Sequence, residues 1–359
     1  MMRRKAYAAV VAVLMTGLVV AASFNYRGGA SAAPLTTSSP AVALLGMLPA
    51  SDAVAFLDAR RTLTEVMPQA FTNDATTLAR INQEIDKFRE HTGTDARAIE
   101  SIAIGVRLKG GTMRSEFVTG LVRGQFSASD AITGGLAKAK AQAEAKKRTF
   151  KWKEEQYEGT TIYAEDRAGA FSMAAVDSNT IAFGDLSGVK AILDVRAGKG
   201  ARVDSSLVEL ATLNASAVAG FAANVPASAA QKFMGGDDSG APFNSIRQIY
   251  GSADAAGSLG TLSVTLRSET GEQAQALAEK LTSLKQLASF YFSRNAQQNS
   301  DGQLGTLRAE PANRTQTVIR GFPFPPKWIK DVTVTAEGQD VKLRLEEPLA
   351  EVGSVLSRL

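Results

Sequence analysis

The chain holds one histidine, His91, no cysteine, and 36 aspartates and glutamates. Without cysteine there is no thiolate nucleophile, no disulfide and no Cys-based zinc site. Imidazole can supply only one metal ligand. His91 lies in "FREHTGTDARAIESIAIGVRL" (88–108), where a Ser-His-Asp triad would need a partner serine on a "GxSxG" elbow, and the sequence has none. The stretch reads instead as a helix end. His91 falls three residues after Phe88, where the helical periodicity stops, and a histidine in a last turn suits the negative end of the helix dipole. Gly93 stands where a left-handed C-cap is needed, and Asp95 leads into a strand.

The acids offer no ordered constellation. Asp237 and Asp238 sit in "GGDDSG" (235–240), but a calcium loop needs ligands at alternate positions and a closing acid. That stretch reads as a solvated turn. A pair of carboxylates distant in sequence, as in glycosidases, remains open, although nothing selects such a pair. "GKGAR" (198–202) has a Gly-Lys pair, with neither the preceding phosphate loop nor the following Ser or Thr of a nucleotide site.

Two surface-type stretches stand out. "AKAKAQAEAKKRTFKWK" (137–153) is basic apart from Glu144 and would suit anionic headgroups, but "EEQYE" directly follows, and a solvated helix face accounts for it. "GFPFPPKWIKD" (321–331) joins three prolines to Phe322, Phe324 and Trp328. These aromatics are candidate partner-binding anchors. The competing reading makes them a plug over the end of a sheet, because contiguous exposed apolar patches are uncommon.

The elements that would hold these residues follow from periodicity. Ala53–Ala59 reads as a buried strand. Leu78, Ile81, Ile85 and Phe88 recur at helical spacing, and Ile102, Ile104, Val106 and Leu108 alternate as in a half-buried strand. "EFVTGLVRG" (116–124) is a second strand. "SASD" (127–130) starts a helix carrying Ile132, Leu136, Ala139 and Ala143. "FSMAAVDSNTIAFGD" (171–185) is a hairpin, followed by a helix with Val189, Ile192 and Leu193.

The second half repeats this order. "SAVAGFAANVP" (216–226) answers "DAVAFLDARR" (52–61) at a displacement of 164. "FNSIRQIYG" (243–251) reads as a helix, then come strands at 252–259 and 261–268. A helix carries Leu277, Leu281, Leu284, Ala288 and Tyr291. A hairpin covers 331–347, and a last helix carries Leu349, Val352, Leu356 and Leu359. The expected fold class is α+β: two related halves of mainly antiparallel sheet with packed helices, 44–200 and 201–359.

Before them, Arg3, Arg4 and Lys5 precede Ala6–Phe24, a stretch of 19 residues without a charge, and Ala30-Ser31-Ala32 has the small-x-small form of a signal-peptidase site. Residues 1–32 read as a signal peptide or a retained membrane anchor, and 33–43 as a flexible tether. Either way the rest is exported, with the basic end staying cytoplasmic. Of the 40 basic residues, Arg3, Arg4, Lys5 and Arg27 belong to this leader, which leaves 36 against 36 acids. A neutral exported part argues against a nucleic-acid partner, which needs surplus cations for phosphates.

The hydrophobic leader, "LLGMLPASDAVAFLDARRTL" (44–63) and "FREHTGTDARAIESIAIGVRL" (88–108) resemble a group of uncharacterised exported bacterial proteins carrying a domain of unknown function. That resemblance implies an architecture and no mechanism. The expectation is an exported binding or structural module of the bacterial cell envelope, periplasmic or anchored in the cytoplasmic membrane and facing outward. It would work without cofactor, metal or catalytic residue, on an envelope protein or polymer. The alternative is an envelope hydrolase using carboxylates and hydroxyls.

Overall fold

In the computed structural model, the residues described are 39–356 apart from 111, 113, 148, 167–170, 227–237 and 301–325. The leader lies outside them. Among the described residues no helix is long and apolar enough to cross a membrane.

The chain enters through helix α1 (Pro40–Leu45), capped by Ser39, whose Oγ accepts from the Val42 N–H, with Pro40 at its first position. This helix begins inside the stretch read as tether. Strand β1 (Ala53–Asp58) follows, and its short apolar run buries Val54, Phe56 and Leu57. Short helical turns then lead to helix α2 (Ala75–Thr92). Strands β2 (Ile99–Leu108) and β3 (Ser115–Gly124) form a hairpin. Helix α3 (Ala128–Ala145) starts at Ser127, whose side chain accepts from the Asp130 N–H. Two hairpins come next, β4 (Trp152–Tyr157) with β5 (Thr160–Glu165), and β6 (Phe171–Ala175) with β7 (Thr180–Asp185). Helix α4 (Leu186–Arg196) closes the first half.

Helix α5 (Ser205–Ala211) opens the second half and leads into β8 (Ala219–Asn224). Strands β9 (Ile246–Ala256) and β10 (Leu259–Ser268) follow, then helix α6 (Gly271–Ser300). The hairpin of β11 (Thr333–Glu337) and β12 (Asp340–Pro348) precedes helix α7 (Leu349–Leu356). Tyr291 and Leu359, expected on the faces of the last two helices, lie outside the described side chains.

All twelve strands among the described residues join one antiparallel sheet in the order β11-β12-β10-β9-β8-β1-β2-β3-β7-β6-β5-β4. From the β8–β1 seam outward, both sides run through the same elements: first strand, hairpin, then the returning hairpin. The first half adds β5 and β4 beyond it. The fold is therefore α+β, with two related halves sharing one sheet.

The seam fixes the equivalence. Asp58 N–H donates to Val218 O at 2.7 Å, and Asn224 N–H donates to Asp52 O at 2.8 Å. These two bonds are counterparts, so residue 52 matches 218 and 58 matches 224, a displacement of 166 rather than the expected 164. The two-residue difference keeps every side chain on its face, because strands alternate with period two.

One element differs in type. "FNSIRQIYG" was expected as a helix, but only Asp238–Ser245 is helical, as a 3-10 turn, and β9 starts at Ile246. A bulge explains the misleading spacing. Ile246 pairs with Ser268 and Gln248 with Arg267, so the register slips by one between them. Ile246 and Ile249 then share the face toward the long helices while Tyr250 points to the opposite one.

Two cores lie on the two faces of the sheet. Toward α2 and α6 lie Leu57, Ile102, Leu262, Leu277, Leu343 and Leu345. Toward α1, α4 and α5 lie Leu45, Leu48, Leu121, Ile162, Leu193 and Leu207. Glycines permit the closest approaches. A Cβ on Gly188 of α4 would sit 2.7 Å from Thr119 Cβ in β3.

Candidate functional site

His91 sits in the last turn of α2. Its Nδ1–H donates to Lys87 O at 2.6 Å, and its ring is exposed. Gly93 caps the helix at φ 83°, and Gly93 N–H donates to Arg89 O. Lys138 of α3 reaches across and donates to Glu90 O at 3.2 Å, which gives these end carbonyls a cation. The histidine therefore belongs to a helix terminus fastened to its neighbour.

The acids are spread through ion pairs at the surface. Asp86 meets Arg97, Glu155 meets Lys190, Glu158 meets Lys199, and Asp166 meets Lys153. Among the described residues no group of three or more His, Asp or Glu could hold a metal ion. Asp237 lies outside the described residues, and so does the side chain of Asp238.

Three side chains on adjacent strands form the tightest polar cluster. Tyr250 on β9 donates to Asp340 Oδ2 at 3.0 Å. Arg267 on β10 grips Asp340 with Nε at 2.8 Å and Nη2 at 2.9 Å, and also donates to the Tyr250 hydroxyl at 3.0 Å. Burial, with the Asp340 charge adding to it, pushes the Tyr250 phenol up to about 12. Burial alone would raise Asp340, but the bonds from Arg267 and Tyr250 outweigh it and hold its carboxyl below the ordinary range. The three side chains bind one another, with Thr265 adding a hydrogen bond to Tyr250. Its chemistry is that of a clamp across β9, β10 and β12.

Of the aromatic stretch, Phe322 and Phe324 lie outside the described residues. Trp328 is 4 % exposed and belongs to the core beneath α6.

A recess of about 130 Å³ opens between α2, α3 and the sheet. Phe88, Thr92 and Thr94 line it at the end of α2. Its wall on α3 is stepped at helical spacing through Ala131, Gly135 and Ala139, with Ile132 and Leu136 beside them. The floor comes from five strands: Ile99 of β2, Val122 of β3, Ile181 of β7, Met173 of β6 and Trp152 of β4. The two threonines add little polarity. Thr92 Oγ1 donates to Phe88 O at 2.8 Å and accepts from Thr94 N–H at 3.2 Å, so that hydroxyl is engaged within the helix end.

None of these liners was singled out from sequence as a binding residue. The one local signal was Gly134-Gly135 inside an otherwise helical pattern, an unfavourable pair that asks for a reason. Trp152 was hidden within the basic stretch. It lies on an edge strand whose hairpin turns at Glu158 and Gly159, both with positive φ, as a type I′ turn requires.

This geometry defines a class: an α+β protein with a single sheet of two halves and an apolar recess under two helices. No family model and no curated protein matches the chain. Among solved structures, crystal form III of TP0453 is similar with a TM-score of 0.42 and 11% identity, covering 88% of this chain and 98% of that one. Crystal form I of TP0453 gives a TM-score of 0.42 at 9% identity, over 90% and 98% of the respective chains.

Proposed function

We propose that the chain is an exported binding module of the bacterial cell envelope, with the N-terminal segment either cleaved or retained as a tether. The observation that carries the binding half of this reading is the recess between α2 and α3, whose lining is apolar and contains no ionisable side chain. Such a surface recognises by exclusion of water. The envelope half rests on Arg3, Arg4 and Lys5 ahead of the uncharged Ala6–Phe24 and on Ala30-Ser31-Ala32. A hydrolase would need acids converging on a cleft. Asp86, Glu155, Glu158 and Asp166 instead face cations at the surface, which favours the binding reading. An envelope protein or polymer is the partner class this reading retains, with Phe322 and Phe324 as its anchor candidates.

The test is fractionation followed by N-terminal sequencing. The chain should be recovered with the envelope, beginning either near Ala33 or at its first residues. Recovery of the intact chain in the cytosol would reject the reading.

A further inference from the structure

We propose that the recess between α2 and α3 is a binding site for a hydrocarbon group, either a short run of methylenes or a single ring. This deepens the binding-module reading above and rests on it. Size is the first argument. Engineered apolar cavities near 150 Å³ take up benzene or xenon, and this recess measures about 130 Å³. It suits one small apolar group.

Lining chemistry is the second argument. Thr92 Oγ1 is already engaged within the end of α2, so the walls offer a guest little beyond carbon. A guest bearing a buried polar group would lose its hydration without return. A hydrocarbon loses nothing.

The third argument is how the space is kept. Interiors normally close such gaps. Here the α3 wall carries Ala131, Gly135 and Ala139, each too short to reach the floor. The ideal Cβ of Gly135 would lie 3.4 Å from Thr92 O, an ordinary contact, so the glycine leaves a methyl-sized gap between α3 and the end of α2. On the other side Trp152 and Met173 are only partly buried, which leaves a flexible thioether and a broad ring to adjust around a guest.

Trp152 also supplies the readout. The chain has two tryptophans, and the second, Trp328, is buried in the core beneath α6. Bromine quenches indole emission on contact, so 11-bromoundecanoate and bromobenzene serve as the probes, added to the chain recovered from the envelope fraction and freed of detergent. Saturable quenching by either probe is expected. Quenching by 11-bromoundecanoate marks an acyl chain as the guest, and quenching by bromobenzene alone marks a free small molecule. Ala139→Leu and Ala131→Leu fill the recess from either end of the α3 stripe. Each should weaken the probe by about tenfold or more, equivalent to about 1.4 kcal/mol, while melting no lower than the parent chain. Trp152→Phe should remove the quenching, which assigns it to this ring and not to Trp328. No saturable quenching by either probe, or equal quenching in both folded leucine variants, would overturn the proposal. An exported chain that does not quench defeats the site alone, and a cytosolic chain that quenches defeats the envelope reading alone.

Discussion

Phe56 of β1 lies directly opposite Gly220 of β8, one pair from the centre of the antiparallel ladder that joins the two halves. A Cβ on Gly220 would collide with the carbonyl oxygen of Ala211 in α5 and come within 2.6 Å of Phe56 Cε1. The seam therefore needs a residue without a side chain at this point. Gly220→Ala should cost about 2–3 kcal/mol through overpacking against backbone that cannot move aside. Urea unfolding of the variant measures this, and an unchanged midpoint would mean that α5 sits farther from the seam.

The clamp of Tyr250, Arg267 and Asp340 should make stability depend on pH at both extremes. The Tyr250 phenol, pushed from 10.0 to about 12, favours its protonated form in the folded chain. Its contribution is complete below pH 10 and is lost as pH rises toward 12. Asp340 is lowered from 3.8, so its contribution is complete above that value and is lost as pH falls through its folded pKa. Thermal melts against pH should show both losses. Tyr250→Phe should flatten the alkaline one and Asp340→Asn the acid one. A Tyr250→Phe protein with the parental alkaline slope would show that another group titrates there.

Trp328 fills the core beneath α6, so Trp328→Ala should cost roughly 3–5 kcal/mol. Equilibrium unfolding tests this. A variant as stable as the parent would mean that the ring contributes nothing to the core it occupies.

At the end of α2, His91 and Gly93 should behave oppositely. His91→Gln loses one exposed contact to Lys87 O and should shift stability by less than about 1 kcal/mol. Gly93→Val forces a β-branched residue to φ 83° and should cost about 1–2 kcal/mol or more. Paired melts of the two variants decide between them. A larger loss from His91→Gln would assign the histidine a role beyond the helix end.

Much of the sheet was legible in the sequence because burial is one-sided and periodic. Ile102 and Ile104 alternate with residues of the other face, and the Asp177-Ser178-Asn179 turn marks the β6–β7 hairpin. Only the second part of strand β9 was legible, as the strand read from 252, since the bulge after Ile246 leaves Ile246, Ile249 and Tyr250 at the spacing of a helix. The β4–β5 hairpin escaped because Trp152–Tyr157 forms an edge strand with charges on both faces. The recess was beyond local reading for a different reason. Its walls come from α2, α3 and five strands, and only long-range pairing brings Met173 and Trp152 under Gly135. The two glycines of α3 marked the place without showing what faces them.

The central claim, an exported binding module, is tested most directly by fusing a reporter that is active only outside the cytoplasm to Leu359. A matched fusion lacking residues 1–32 serves as its control. The full fusion should be active and the truncated one inactive. An inactive full fusion, or equal activity in both, would contradict the claim.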